Sequence, residues 1–101
     1  MRTRFEWDSA KAASNLRKHR ISFEIAMHVF ADPQAYSDQD RIEDGEQRWQ
    51  TLGRVDGRLL VLVAHTVSEV EEEGRAVEVI RIISARPATR KERRRYEQFQ
   101  V

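Results

Sequence analysis

The sequence predicts an α+β fold in which an antiparallel β-sheet is accompanied by two helices near the N-terminus and one at the C-terminal end. Three observations indicate this: apolar residues at helical spacing in the first third, runs rich in β-branched residues in the middle, and a helix-capping signal near the end. A chain of 101 residues can bury one substantial core, so a single domain over residues 1–101 is expected. The predicted element order is β-α-α-β-β-β-α.

The N-terminal third predicts a short strand followed by two helices. Residues 4–7 alternate polar and apolar side chains, as a strand does. Asp8 then supplies an N-cap carboxylate for a helix that runs to about His19. Ser22 is a second N-cap candidate, and the apolar residues of segment 23–30 follow the i, i+3, i+4, i+7 spacing of a second helix.

The middle of the chain predicts the sheet. Residues 35–46 are polar and acidic, which indicates a loop with room for a short edge strand. A strand then leads into Asp56-Gly57, a dipeptide that suits the two positive φ angles of a type I′ hairpin turn. Segment 59–66 is apolar almost throughout, so it predicts an interior strand buried on both faces, and 77–85 predicts its neighbour.

The last predicted element is a helix with a clear start. Pro87 disfavours further sheet pairing, and Thr89 and Glu92 have the spacing of a capping box. The helix continues through Tyr96 and Phe99.

Charge is unevenly distributed along the chain. The total is 18 Lys and Arg against 17 Asp and Glu, a net charge of +1. Residues 1–20 nevertheless hold six basic and two acidic side chains, a net +4, and residues 81–95 hold seven and one, a net +6. If the two basic ends meet in the fold, they form a patch that attracts a polyanion through counterion release; otherwise they are solvated helix faces.

Several classes of site are excluded. The chain has no Cys, which excludes disulfides and thiolate zinc sites, and none of its three His has the helical spacing with Glu that a zinc helix uses. A glycine-rich phosphate loop and a G-x-S-x-G elbow are absent from the sequence, so we expect no metal and no cofactor. No apolar run is long enough for a membrane helix or a signal peptide, which predicts a cytoplasmic protein without membrane contact.

The remaining side chains suit RNA cleavage without a metal, which needs a base for the 2′-hydroxyl, cations for the phosphorane and an acid for the leaving oxygen. Arg81 interrupts an apolar strand, where it either pairs with a carboxylate or lines a cleft. His65 is a core residue or a proton carrier. Arg86, at the start of the last helix, binds phosphate or caps an acidic loop. His19 beside Lys18 is a proton carrier or a helix C-cap.

Two segments resemble the BrnT family of toxins: residues 5–24, FEWDSAKAASNLRKHRISFE, and residues 80–97, IRIISARPATRKERRRYE. Segments 46–54 and 59–66 extend the resemblance to about two-thirds of the chain. It implies a RelE-like fold and a ribonuclease that arrests growth. It also implies a hetero-oligomer with a BrnA-like ribbon-helix-helix antitoxin. The toxin would contact DNA only through this antitoxin.

The resemblance assigns Lys18 and His19 to the Lys-His pair of the family, Arg81 to its Ile-Arg-Ile-Ile segment and Arg86 to Ser-Ala-Arg. It differs at Arg20, where the family usually has Gly, and in a longer acidic turn at residues 69–73. The predicted catalytic residues are His19, His65, Arg81 and Arg86, and the predicted RNA-binding residues are Lys18, Arg48, Arg90, Arg94 and Tyr96. The alternative is a non-catalytic module that acts as co-repressor with a DNA-binding partner, and a requirement for the ribosome stays open.

Overall fold

A computed structural model describes residues 1–98, and within them five strands form one sheet. The strands are β1 (Arg2–Trp7), β2 (Tyr36–Glu43), β3 (Glu46–Val55), β4 (Leu59–Glu72) and β5 (Arg75–Pro87), and the helices are α1 (Ser9–His19), α2 (Phe23–Ala26) and α3 (Arg90–Gln98). Across the sheet the order is β1-β5-β4-β3-β2. Phe99, which we expected to continue α3, lies outside the described residues. No helix in residues 1–98 is long and apolar enough to cross a membrane.

Helix α1 begins and ends as its sequence predicts. The Asp8 carboxylate accepts a hydrogen bond from the Lys11 N–H at 2.9 Å, which confirms the N-cap. The helix ends where Arg20 adopts a left-handed conformation with φ 63°, and the Arg20 N–H donates to the Leu16 carbonyl at 2.9 Å. Arg20 therefore takes the conformation that glycine usually provides at this position.

Helix α2 is shorter than predicted. Ser22 accepts from the Ile25 N–H at 3.1 Å, which confirms the second N-cap, but the α-helix gives way to a 3₁₀ helix at Met27–Ala31. This 3₁₀ helix lies directly on β3. The approach is so close that a Cβ on Gly53 would come within 2.8 Å of the Val29 side chain. Only glycine leaves room for this close approach.

Residues 36–43, for which the sequence predicted a loop with room for a short edge strand, form the strand β2, so the structure has five strands where the predicted element order had four. β2 is the outer strand of the sheet and is exposed on both faces, which explains why its sequence lacks apolar alternation. The predicted turn at Asp56-Gly57 is confirmed, with φ values of 52° and 68°. Asp44-Gly45 and Glu73-Gly74 adopt the same pair of positive φ angles and close the hairpins on either side.

The sheet is mixed and not antiparallel as predicted. β1 pairs in parallel with β5, from Arg2 opposite Val77 to Trp7 opposite Ile82. The remaining pairs are antiparallel. Hairpin signals predict only antiparallel pairs between strands that are neighbours in sequence, whereas β1 pairs with β5, which lies at the other end of the chain.

Two clusters of buried residues lie on opposite faces of the sheet. On one face, which we call the α1–α2 face, Val61 and Val63 pack with Ile21 and Phe23 from the N-terminal helical region. On the other, the α3 face, Leu60 and Leu62 pack with Tyr96. The N-terminal helical region and α3 therefore pack against different faces of the sheet, so the basic side chains of α1 and α3 do not form one patch on a shared face.

Candidate RNA interface

A β-bulge in β5 determines which face carries the two predicted phosphate-binding arginines. Arg81 and Arg86 are five residues apart, an odd number that in a regular strand would place them on opposite faces. The register between β4 and β5 leaves Ile83 without an opposite residue, so the strand holds one extra residue there. As a result Arg81, opposite Thr66, and Arg86, opposite Leu62, both lie on the α3 face.

Arg86 is held at the start of α3 by Glu92. Its two Nη atoms donate to the two carboxylate oxygens of Glu92, each at 2.8 Å. Glu92 also accepts from the Thr89 N–H at 2.9 Å while its own N–H donates to the Thr89 hydroxyl at 3.2 Å, which confirms the capping box. The hydrogen bonds from Arg86 are the main reason why the pKa of Glu92 falls to about 2, and Glu92 raises the pKa of Arg86. Arg86 thus has a fixed position and an internal carboxylate partner.

Arg81 also has a carboxylate partner, which comes from a different hairpin. Its Nη2 donates to Glu46 at the start of β3. Both side chains are 41% exposed, so water screens this pair. Arg48, a predicted RNA contact, is only 15% exposed and lies 3.8 Å from Glu43. Arg81 is therefore the more accessible of these two guanidinium groups.

Asn15 holds α1 against the free edge of β5. Its Oδ1 accepts from the Ala85 N–H at 3.1 Å, and its Nδ2 donates to the carbonyls of Ala85 at 2.8 Å and Ile21 at 3.0 Å. The amide thus takes the place of a neighbouring strand where β1 has ended. Asn15 was not among the predicted site residues, although a buried Asn within a helix is a recognisable signal because its side chain needs such partners.

A surface cavity of about 290 Å³ lies beside this contact. It places Lys18 and His19, at the end of α1, next to Ser84 of β5. Ser84 precedes Arg86 by two residues and shares its face. The lining residues are Lys11, Ser14, Asn15, Lys18, His19, Ile83 and Ser84. The structure therefore brings the Lys-His pair to the strand that carries both arginines. Nothing in the sequence around Ser84 indicated that it lies beside this pair.

His65 lies on the opposite face and is buried, with 2% of its surface exposed. Its Nδ1 donates to the Thr66 carbonyl at 3.3 Å, so its Nε2 accepts from the Thr51 hydroxyl at 2.6 Å. Phe30 packs edge-on against the ring, with 4.9 Å between centroids. Burial lowers the pKa of His65 and favours the neutral ring. The predicted catalytic role does not fit this position, because RNA cannot reach the ring; its geometry indicates a structural role.

Tyr96 is 2% exposed and packs under α3 as a core residue, so it cannot stack on an RNA base as predicted. Its hydroxyl donates to the Asp32 carboxylate at 2.6 Å, and the Arg54 guanidinium lies 5.2 Å from its ring centroid. Burial raises the pKa of Asp32, but hydrogen bonds from Tyr96 and from the N–H groups of Arg54 and Gln34 lower it overall. This contact anchors α3 to the body of the protein.

Helix α3 presents basic side chains that are available to a ligand. Arg90, Lys91, Arg93 and Arg94 are exposed, and none of them forms an ion pair within residues 1–98. Arg95 is the exception, since it donates to Asp38 at 2.6 Å. No group of three or more His, Asp or Glu in the described part of the chain is arranged to hold a metal ion.

Comparison with known proteins gives a family and a fold. The model of the family described as the ribonuclease toxin BrnT of type II toxin-antitoxin systems matches residues 7–92. The 1.1 Å crystal structure of the Brucella abortus ribonuclease toxin BrnT is similar, with a TM-score of 0.58 and 20% identity over 89% of this chain and 100% of that one. No curated protein sequence matches. The family match confirms the predicted resemblance: the chain belongs to the BrnT family of ribonuclease toxins of type II toxin-antitoxin systems.

Proposed function

We propose that this protein cleaves RNA without a metal ion, on the α3 face of the sheet and the adjoining edge of β5. Family membership supports the ribonuclease activity. The choice of surface depends on one observation: the cavity that sets Lys18 and His19 against Ser84, on the strand that carries Arg81 and Arg86. His19 then lies beside the strand that carries Arg81 and Arg86, and cleavage requires a proton carrier close to phosphate-binding cations.

In the proposed reaction His19 takes the proton of a ribose 2′-hydroxyl, whose oxygen attacks the adjacent phosphorus. The bond from phosphorus to the 5′ oxygen breaks, and that oxygen takes up a proton from solvent, to which the protonated His19 returns the proton that it accepted. The products are a 2′,3′-cyclic phosphate and a 5′-hydroxyl. Lys18 and Arg86 stabilise the charge on the phosphorane. Arg81, Arg90 and Arg94 bind flanking phosphates, for which planar guanidinium groups are well suited.

The decisive variant is His19→Ala, with His28→Ala as its control. His28 is exposed and lies outside the cavity, so its loss removes an imidazole without touching the proposed site. We expect His19→Ala to slow cleavage of purified RNA in EDTA by about 10²- to 10⁴-fold, which is the usual contribution of a general acid or base to the rate. His28→Ala should cut like the parent protein. Full activity of His19→Ala would refute the assignment of the proton carrier. If EDTA abolished cleavage by the parent protein, metal independence would be refuted.

A second candidate is a non-catalytic module that binds beside a DNA-bound partner. The observation in its favour is that Arg81 and Arg86 already have carboxylate partners, as expected of structural ion pairs. Antitoxin-free protein that leaves total RNA intact, with or without ribosomes, would favour this module over the enzyme.

For the partner, we propose a BrnA-like ribbon-helix-helix antitoxin that covers the basic α3 face and carries the toxin to DNA, in the cytoplasm. The exposed cations of α3 support this, since an acidic or apolar segment of a partner would neutralise or shield them. The RelE-like relationship that the resemblance implies is part of the same proposal. Co-expression tests it: a complex in which RNA cleavage persists would show that the antitoxin binds another surface.

A further inference from the structure

Strand β2 and the turn that connects it to β3 carry an unusual concentration of acidic side chains. Residues 36–46, which we call the acidic hairpin, hold five carboxylates against the single cation Arg41, a net charge of −4. The carboxylates belong to Asp38, Asp40, Glu43, Asp44 and Glu46. A segment of this composition repels RNA, and yet it lies beside the proposed RNA face.

Two of these carboxylates reach cations outside strands β2 and β3. Glu46 accepts from Arg81 of β5, although β4 separates β3 from β5 in the sheet. Asp38 accepts from Arg95 of α3 at 2.6 Å. The acidic hairpin thus contacts the α3 face at two separate points, and at each point its carboxylate occupies a guanidinium group that an RNA phosphate would otherwise bind.

These contacts are suited to displacement. The side chains of Arg81 and Glu46 are both 41% exposed, and those of Arg95 and Asp38 are 48% and 50% exposed. Exposed pairs of this kind contribute little, because water solvates both charges after separation. The pair of Arg86 with Glu92 differs, since Glu92 is only 19% exposed and also caps α3. The hairpin carboxylates can therefore leave their partners without disturbing the helix.

We propose that the acidic hairpin is an internal competitor of RNA. This inference rests on the proposed function, because it concerns the same surface. Carboxylate and phosphate oxygens meet the same N–H groups of Arg81 and Arg95, so RNA binds only as the hairpin carboxylates withdraw. The competition lowers the affinity for short or weakly charged anions more than for RNA that contacts the whole face. The hairpin thereby selects polyanions of sufficient length.

The test measures RNA binding by the full chain and by the double variant Asp38→Asn/Glu46→Gln. The probe is a fluorescent single-stranded 2′-O-methyl RNA, which binds but lacks the 2′-hydroxyl needed for cleavage. We expect the double variant to bind about fourfold more tightly, from a roughly twofold gain at each of the two exposed pairs. Its affinity should also fall more steeply with salt, by about 0.7 in logarithmic slope for each cation freed.

The matched control is Glu69→Gln/Glu71→Gln, which removes the same charge from exposed positions on β4. Glu69 lies opposite Glu78, on the other face of the sheet, and neither control residue forms an ion pair within residues 1–98. An affinity gain confined to the hairpin variant supports the proposal, even if the parent protein binds too weakly to measure. Equal or weaker binding by the hairpin variant, or an equal gain in the control, overturns it. Absence of binding in all three proteins would instead refute the RNA face itself.

Discussion

Replacement of Arg20 by glycine should stabilise this protein. Arg20 ends α1 with φ 63°, and no ion pair within residues 1–98 involves its exposed side chain. The left-handed conformation costs an L-residue about 1–2 kcal/mol. Glycine avoids that cost but loses about 0.5–1 kcal/mol through its greater freedom in the unfolded chain. The net expectation is a gain of about 1 kcal/mol, or roughly 5 °C in Tm for a domain of this size.

Arg17→Gly is the matched control for this substitution. It removes the same charge from the same exposed helix, but at a position inside α1, where glycine costs about 1 kcal/mol. Thermal unfolding followed by circular dichroism should therefore move in opposite directions for the two variants. If Arg20→Gly lowers Tm, or leaves it unchanged while Arg17→Gly lowers it, the cost ascribed to the left-handed arginine is wrong.

Two further predictions concern stability. Because the pKa of Glu92 falls from 4.5 to about 2 on folding, its interactions with Arg86 and Thr89 stabilise the protein above pH 4.5 and are lost as the pH falls from there through 2. Denaturant unfolding should show that acidification over this range lowers the free energy of unfolding by about 1–3 kcal/mol in the parent protein but not in Glu92→Gln. If Glu92→Gln lost stability in acid as the parent protein does, the assignment to Glu92 would be wrong. Asn15→Ala should cost about 2–4 kcal/mol in the free energy of unfolding, since it leaves the buried N–H and carbonyl of Ala85 without their partner; a cost below 1 kcal/mol, or a larger one in Ser14→Ala, would show that water replaces the amide.

Local signals in the sequence predicted the fold well where they involve neighbouring residues. The caps at Asp8 and Ser22 and the turn at Asp56-Gly57 are hydrogen bonds or backbone angles within four residues. The strand β2 was left out of the predicted element order, although a short edge strand was allowed there, because an outer strand exposed on both faces has no apolar pattern to reveal it. Its turn, Asp44-Gly45, carries the same signature as Asp56-Gly57 and would have indicated it.

The arrangement of the candidate site was less predictable, because it depends on sheet geometry. Apolar alternation correctly placed His65 with Val61 and Val63, but only the structure shows that this face is covered by helices and closed to RNA. The shared face of Arg81 and Arg86 depends on the extra residue Ile83, which the sequence does not mark. The pair that holds Arg81 is equally invisible in the sequence, since Glu46 is 35 residues from Arg81.

The parallel contact of β1 with β5 has a consequence for synthesis of the protein. The first strand is synthesised first, but its partner begins at residue 75, so the edge that β1 completes cannot form until most of the chain exists. Bringing such distant segments together is also the slow part of folding, whereas the three hairpins between residues 36 and 87 can form locally. A growing chain therefore lacks the surface assembled from α1 and β5. The surface on which we propose that RNA is cleaved is therefore completed only when translation is nearly finished.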